Sequence, residues 1–380
     1  MNAKEFFDKL KPWSKRKHRL LGKYLPPFSA KVATTTRDRE IYCVDAFAGA
    51  AKYGDGNEGS PLLIARFSDD CAKWVNPVFL KLINVEPDLE NEGIFESLED
   101  ATQIWKEKGV VENIRKEFHS AMPDILSRIG NSPALFFIDP LGPTQVYFSH
   151  LQPLLTRSQN RITELIVNFD TDGLYRITRA ALSKKINPKT AETDAQNVTD
   201  ILGSSNWRQK LETLEVTTEE GQAILLNEYV NNLQRFGYDV VAYPIRESLN
   251  KNPEYYFIYC TRHRDGIALM NDFIREEEDL LYGEHVEDRL PLFQDEASLS
   301  REKEARQDKL RFLLKLYLED HLVVTRKQIK QDLLISNFGY FHSNEYNSVV
   351  RGFIDEKTLR EETGKTRIND THVLKYFPKK

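Results

Sequence analysis

Three cysteines in 380 residues (Cys43, Cys71 and Cys260) are too few, too scattered and odd in number for a disulfide framework or a thiolate metal cluster. All three sit in apolar contexts, so they are expected as core residues of a protein kept in the reducing cytoplasm. No apolar run approaches the roughly eighteen residues that a membrane-spanning helix needs, and no membrane partner is expected. The opening MNAKEFFDKLKPWSKRK has no apolar centre and no small-residue cleavage site, which argues against a secretory signal. A Ser-His-Asp order, a P-loop and an HExxH pair are all missing, so nothing points to triad hydrolysis, P-loop nucleotide hydrolysis or zinc proteolysis. There is no internal repeat and no low-complexity segment.

What is present reads as a globular chain. Its composition is 40% hydrophobic, 11% aromatic and 29% charged, and its length exceeds one ordinary core, so two domains are expected. The net charge of −5 conceals a segregation. Residues 1–40 carry eleven Lys and Arg against four Asp and Glu, a balance of +7, and residues 301–380 carry seventeen against twelve, a balance of +5. Residues 41–300 therefore hold −17. An acidic body between two basic ends suits a nucleic-acid enzyme, and equally a protein that only needs solubility.

Residues 1–40 read as a basic, aromatic helical segment that Pro26-Pro27 is expected to stop. Trp13, Leu20 and Tyr24 fall at helical spacing and should dock on a sheet. Docking would leave Lys15, Arg16 and Lys17 free for DNA or RNA. Over residues 41–275, apolar runs alternate with helical stretches. Ile41–Phe47, Pro77–Val85, Val110–Phe118, Ala134–Ile138 and Glu164–Phe169 read as buried strands, and Ser60-Pro61 as a helix start. This alternation predicts a doubly wound, Rossmann-like α/β sheet. Asp239–Pro244 and Tyr255–Cys260 are joined too briefly for a crossover helix and should pair antiparallel. A polar insertion is expected from Ser183 to Asn206.

Residues 276–306 turn acidic and poorly periodic and are expected as a linker. Beyond them, helices at Asp308–Glu319, Thr325–Leu334 and Ser343–Phe353 precede strands at Thr358–Leu359 and Thr371–Phe377. That order gives residues 307–380 a winged-helix pattern, in which the third helix would enter a groove and the wing would touch phosphate. Lys327, Lys330, Arg351, Lys365 and Arg367 are the candidate contacts for nucleic acid. Many winged helices bind protein instead.

Chemistry-bearing residues gather where strands end, which is where open α/β sheets bind ligands. Asp45-Ala46-Phe47-Ala48-Gly49 ends the first strand, and Gly49 permits a turn that lets a cofactor lie on the loop. A tight strand–helix turn would use the same glycine. Glu86 ends the second strand, where a carboxylate can accept from both hydroxyls of a ribose; a solvated strand-end acid would look alike. Phe136-Phe137-Ile138-Asp139-Pro140-Leu141-Gly142-Pro143 follows the most apolar strand. Its prolines and glycine hold the backbone carbonyls in one direction, suited to accept from an exocyclic amine, although a structural turn is the alternative. Asp170 and Asp172 end the fifth strand and suit substrate, a metal or a solvated turn, while His119 and His263 are expected to be structural.

The D-x-F-A-G strand followed by FxID-P resembles the amino-methyltransferase arrangement. The chain as a whole resembles the three-Cys-motif partner family, TcmP. The matching residues are Trp13 with Lys15, Lys17 and Tyr24; Asp45 to Ala50; Tyr53; Gly59-Ser60-Pro61-Leu62; Asn84-Val85-Glu86; and Phe137 to Gly142. The resemblance implies a bacterial or phage protein with a methyltransferase-type sheet and S-adenosylmethionine as cofactor. Its partner would be a three-cysteine, phage-type protein of the radical-SAM kind. It also implies that Asp45, Phe47, Gly49, Tyr53, Ser60 and Glu86 shape the cofactor site, and that Asp139, Pro140 and Gly142 face the reacting group. The sequence departs from an amino-methyltransferase in two places. Ala50-Ala51 follows Gly49 where a second glycine is usual, and Leu141-Gly142 replaces Pro-Tyr, which removes the ring that would stack a flipped base. Tyr53, Tyr147 and Phe148 are the candidate substitutes. The expected function is methyl transfer to nucleic acid. The alternatives are a non-catalytic partner subunit that delivers nucleic acid, and a metal-dependent nuclease-like or toxin-like module using Asp139, Asp170 and Asp172.

Overall fold

The computed structural model describes residues 9–88, 93–212, 214, 216–246, 253, 255–289, 296–361 and 369–378. It divides into two units, Met1–His263 and Arg264–Lys380. Among the described residues of the first unit, the first helix is α1 (Pro12–Val32), whose Pro12 suits the first turn because its missing N–H would have had no intrahelical partner. Pro26 and Pro27 were expected to end this helix, yet it continues to Val32. Leu20, Leu21, Tyr24, Leu25, Phe28 and Val32 are all buried along one face, and that packing outweighs the local cost of the prolines.

Strand β1 (Glu40–Asp45) leads through α2 (Ser60–Cys71) to β2 (Phe79–Val85), α3 (Ile94–Glu107), β3 (Val111–Ile114), α4 (Phe118–Ile129) and β4 (Ala134–Ile138). Then come α5 (Phe148–Leu155), β5 (Thr163–Asp170), α6 (Thr171–Leu182), α7 (Pro188–Leu202), α8 (Asn206–Lys210), α9 (Glu219–Gln234), β6 (Asp239–Ile245) and β7 (Tyr255–Thr261). The seven strands form one sheet in the order β3-β2-β1-β4-β5-β7-β6. β1 to β5 run parallel, and β7 is antiparallel to both β5 and β6. This is a mostly parallel, Rossmann-like α/β sheet. Every residue of β4 (ALFFI) is buried, as a central parallel strand covered on both faces requires. The antiparallel pairing of β6 with β7 is as expected; the insertion of β7 between β5 and β6 was not foreseen. All three cysteines are buried and free.

Two expectations need correction in this unit. The third strand is only Val111–Ile114, and Phe118 already begins a helix. The polar insertion is largely helix α7, capped by the Asn187 side chain on the Lys189 N–H. Ala195, Val198, Ile201 and Leu202 supply a narrow buried stripe beneath its polar exterior. Glu164, buried at the start of β5, accepts hydrogen bonds from Tyr24 at 2.6 Å, Tyr259 at 3.0 Å and Thr261 at 2.8 Å. This network fastens α1 to the sheet.

The second unit contains α10 (Arg264–Arg289), α11 (Glu296–Asp320), β8 (Val323–Thr325), α12 (Arg326–Ser336), α13 (Ser343–Asp355), β9 (Leu359–Glu361) and β10 (Val373–Tyr376). The strands form an antiparallel sheet in the order β8-β10-β9. Thr325 caps α12 reciprocally with Gln328. The stretch expected as an acidic linker is helical at both ends, in α10 and α11, with only 290–295 outside the described residues. Ile267, Met270, Ile274, Glu277 and Leu281 are buried at alternating three- and four-residue spacing. The surrounding acids masked that stripe, and the division between units falls at His263 instead.

Candidate functional site

β1 and β4 are neighbours at the centre of the sheet, with β2 beyond one and β5 beyond the other. The strand order reverses there, and a crevice opens outside the carboxyl ends of the strands. The lining comes from Phe47, Tyr53 and Ser60 after β1, Glu86 and Asp88 after β2, and Asp139 with Pro140 after β4.

The loop after β1 is held on three sides. Ala46 N–H donates to the Phe137 carbonyl at 2.9 Å, Ala48 N–H to Val85 at 3.0 Å, and Gly59 N–H to Ala51 at 2.8 Å. Gly49 has φ 61°, a conformation open to glycine at little cost, and it turns its N–H to Glu86 Oε2 at 2.9 Å. Glu86 Oε1 accepts the Asp88 N–H at 3.0 Å. Two backbone donors thus fix the carboxylate, each oxygen retains capacity for a further hydrogen bond, and Glu86 lines the crevice. Burial raises the pKa of Glu86, while these two bonds oppose the rise. Ala51 (φ 62°) and Asp88 (φ 47°) are left-handed without being glycine, and both line the crevice. Such backbone costs of about 1–3 kcal/mol concentrate at functional sites.

Asp45 and Gly49 are not part of the lining. Asp45 is fully buried beneath the loop, and neither carboxylate oxygen has a well-formed hydrogen bond. Burial pushes its pKa up to about 7, opposed by the nearby Ser60 hydroxyl and Phe47 N–H and reinforced by the Asp139 and Glu86 charges. Its place is under the loop that follows β1. Gly49 acts through Glu86.

The side expected to receive an amine is already occupied by a residue of this chain. Lys17, with a side chain 2% exposed, extends from α1 and places Nζ 2.6 Å from Asp139 Oδ1. The same ammonium lies 4.6 Å from the centroid of the Tyr255 ring. Its neighbour His18 is buried and uncharged at neutral pH. Burial lowers its pKa to about 4, with Asp139 opposing and Lys17 adding to the shift. The expectation that Lys17 is free for nucleic acid is therefore corrected. Arg16 is corrected likewise: it is buried and donates to the Arg246 carbonyl at 2.5 Å. Lys15 is exposed. Gly142 does not line the crevice, whereas the neighbouring Leu141 does and is 43% exposed. Of the three rings considered as stacking substitutes, only Tyr53 lines it. Phe148 is in the core, and the Tyr147 hydroxyl donates to Asn197 at 3.1 Å.

Asp170 caps α6 through the Gly173 N–H at 2.9 Å, and Asp172 is exposed on its first turn. His119 stacks on His150 with centroids 4.7 Å apart, and His263 donates its backbone N–H to Thr261. Among the described residues, no group of three His, Cys, Asp or Glu side chains is placed to hold a metal ion. In the second unit Lys327 and Lys330 line one surface depression with Arg264, and Arg351 is exposed on α13. Lys365 and Arg367 lie outside the described residues.

The sequence reading missed Lys17 in its pocket role, together with His18, Asp88 and Tyr255. Lys17 carried a legible signal: with Leu20, Leu21 and Tyr24 it falls at i, i+3, i+4 and i+7, which places a lysine on the buried face.

No family model matches the chain, and no curated protein matches it. The solved crystal structure of SCL7 in Oryza sativa is similar at 8% identity and a TM-score of 0.35, over 68% of this chain and 82% of that one.

Proposed function

We propose that the first unit binds S-adenosylmethionine as a methyltransferase-like domain of the TcmP type acting on nucleic acid, and that the second unit is a winged helix for substrate or partner. One observation carries this reading: Glu86, at the switch point, is fixed by the Gly49 and Asp88 N–H groups with acceptor capacity left for a ribose. The crevice fits the group in other respects. Phe47 and Ile94 give apolar walls for a purine beside the Glu86 carboxylate. When bound, the cofactor supplies the activated methyl group. The chain's own contribution is positioning. Asp139, just beyond β4, accepts a hydrogen bond from an incoming amine once Lys17 has released it, and Leu141 and Tyr53 shield that approach from water.

The Lys17–Asp139 pair also favours a second reading, in which the unit keeps the cofactor fold and serves a three-cysteine partner without transferring a methyl group. The deciding assay uses methyl-tritiated S-adenosylmethionine with single- and double-stranded DNA and RNA, with and without that partner. Label incorporated by wild type and lost in Asp139→Asn supports transfer. Cofactor binding with no label on any substrate hands the conclusion to the second reading.

A further inference from the structure

The antiparallel sheet of the second unit buries one face and exposes the other. Along β10, Leu374 and Tyr376 are buried, whereas Val373, Lys375 and Phe377, at i, i+2 and i+4, are exposed. Phe377 stays in extended pairing, since its N–H donates to the Thr358 carbonyl at 2.7 Å. Lys375 stands directly opposite Val323 of β8 on one side and Arg360 of β9 on the other. One cross-strand row of the outer face therefore reads Val323, Lys375, Arg360, with Phe377 beside it.

Two like charges facing each other across an antiparallel pair are destabilising. Neither Arg360 nor Lys375 has an acidic partner among the described residues, and both turn toward the Phe377 ring, 4.9 Å and 5.9 Å from its centroid. Arg360 Nε donates to the Lys357 carbonyl at 2.8 Å, which orients the guanidinium. The ring itself remains 41% exposed. The missing complement is an anion that also carries a flat apolar face, and a nucleotide has both parts.

We propose that this outer sheet face binds single-stranded nucleic acid, with Phe377 stacking a base and Arg360 and Lys375 holding adjoining phosphates. Stacking requires an unpaired base, so single strands are favoured over duplex. The inference rests on the nucleic-acid reading above and assigns contacts separate from Lys327, Lys330 and Arg351.

The test is fluorescence anisotropy of the full chain with labelled oligo-dT, oligo-U and a matching duplex, of about twenty nucleotides each. Phe377→Ala is expected to weaken single-strand binding about ten-fold, as loss of one stacked base does. Arg360→Gln with Lys375→Gln is expected to reduce the slope of log affinity against log salt by about 1.4, two single-strand phosphates at roughly 0.7 each. All three side chains are exposed, and circular dichroism checks that the variants stay folded. Tight single-strand binding that survives Phe377→Ala unchanged overturns the site and leaves the broader reading intact. A wild-type chain that binds neither strand nor duplex overturns both.

Discussion

Removing either partner of the Lys17–Asp139 pair strands a different charge, and the two losses should differ in size. Asp139→Ala leaves an ammonium whose side chain is 2% exposed without the carboxylate it pairs with. Breaking a buried pair in this way costs about 3–5 kcal/mol. Lys17→Met keeps the apolar stem and leaves a carboxylate that is 19% exposed, so water can replace part of the lost interaction. About 1–2 kcal/mol is expected there, because surface-accessible charges recover most of their solvation. For a unit of this size about 1 kcal/mol moves Tm by roughly 2 °C. Differential scanning calorimetry should therefore show the first-unit transition lowered by about 6–10 °C in Asp139→Ala and about 2–4 °C in Lys17→Met. The double variant should be more stable than Asp139→Ala alone, because the stranded ammonium is gone. Equal losses in the two single variants, with the double equal to their sum, would refute the pairing argument.

Two further outcomes follow from the same neighbourhood. Folded Asp45 holds its proton up to about pH 7, whereas its unperturbed value is 3.8, so the folded state binds more protons between those limits. Its contribution to stability is therefore fully present below about pH 4 and declines as pH rises toward 7, by at most about 4 kcal/mol. Asp45→Asn should raise Tm relative to wild type progressively from pH 4 to pH 8; a pH-independent difference would contradict this. Gly173→Ala should destabilise although alanine is the better helix former, because the added Cβ would overlap the Asp170 carboxylate and lie 2.8 Å from Pro143 Cδ. A loss of about 1–3 kcal/mol in urea unfolding is expected, and a gain would show that the cap is not crowded.

The strand ends were legible because parallel strands are buried on both faces. ALFFI could hardly be anything but a central strand, and the acids at the ends of β1, β2 and β4 marked the crevice. Glu86 reached the place that this logic assigned to it. Lys17 did not, because a run of cations on a helix reads as a solvated face until its register with Leu20, Leu21 and Tyr24 is counted. That register needs the sheet, and with it Tyr255 from the far end of the unit, before the ammonium has anywhere to go. The same competition hid α10 and α7, whose narrow buried stripes lie within polar surroundings. Pro26-Pro27 misled in the opposite direction, since local rules cannot register the packing of Tyr24, Phe28 and Val32. The outer row of Lys375 and Arg360 depended on strand register, which two isolated short strands do not reveal.

The central claim is that the crevice holds a nucleoside cofactor through Glu86. Calorimetric titration of S-adenosylmethionine and S-adenosylhomocysteine into wild type, Glu86→Gln and Glu86→Ala tests it most directly. The account predicts saturable binding to wild type, weaker binding to Glu86→Gln, and none to Glu86→Ala, with Tm confirming that each variant is folded. No heat with wild type, or undiminished affinity in Glu86→Ala, would contradict it.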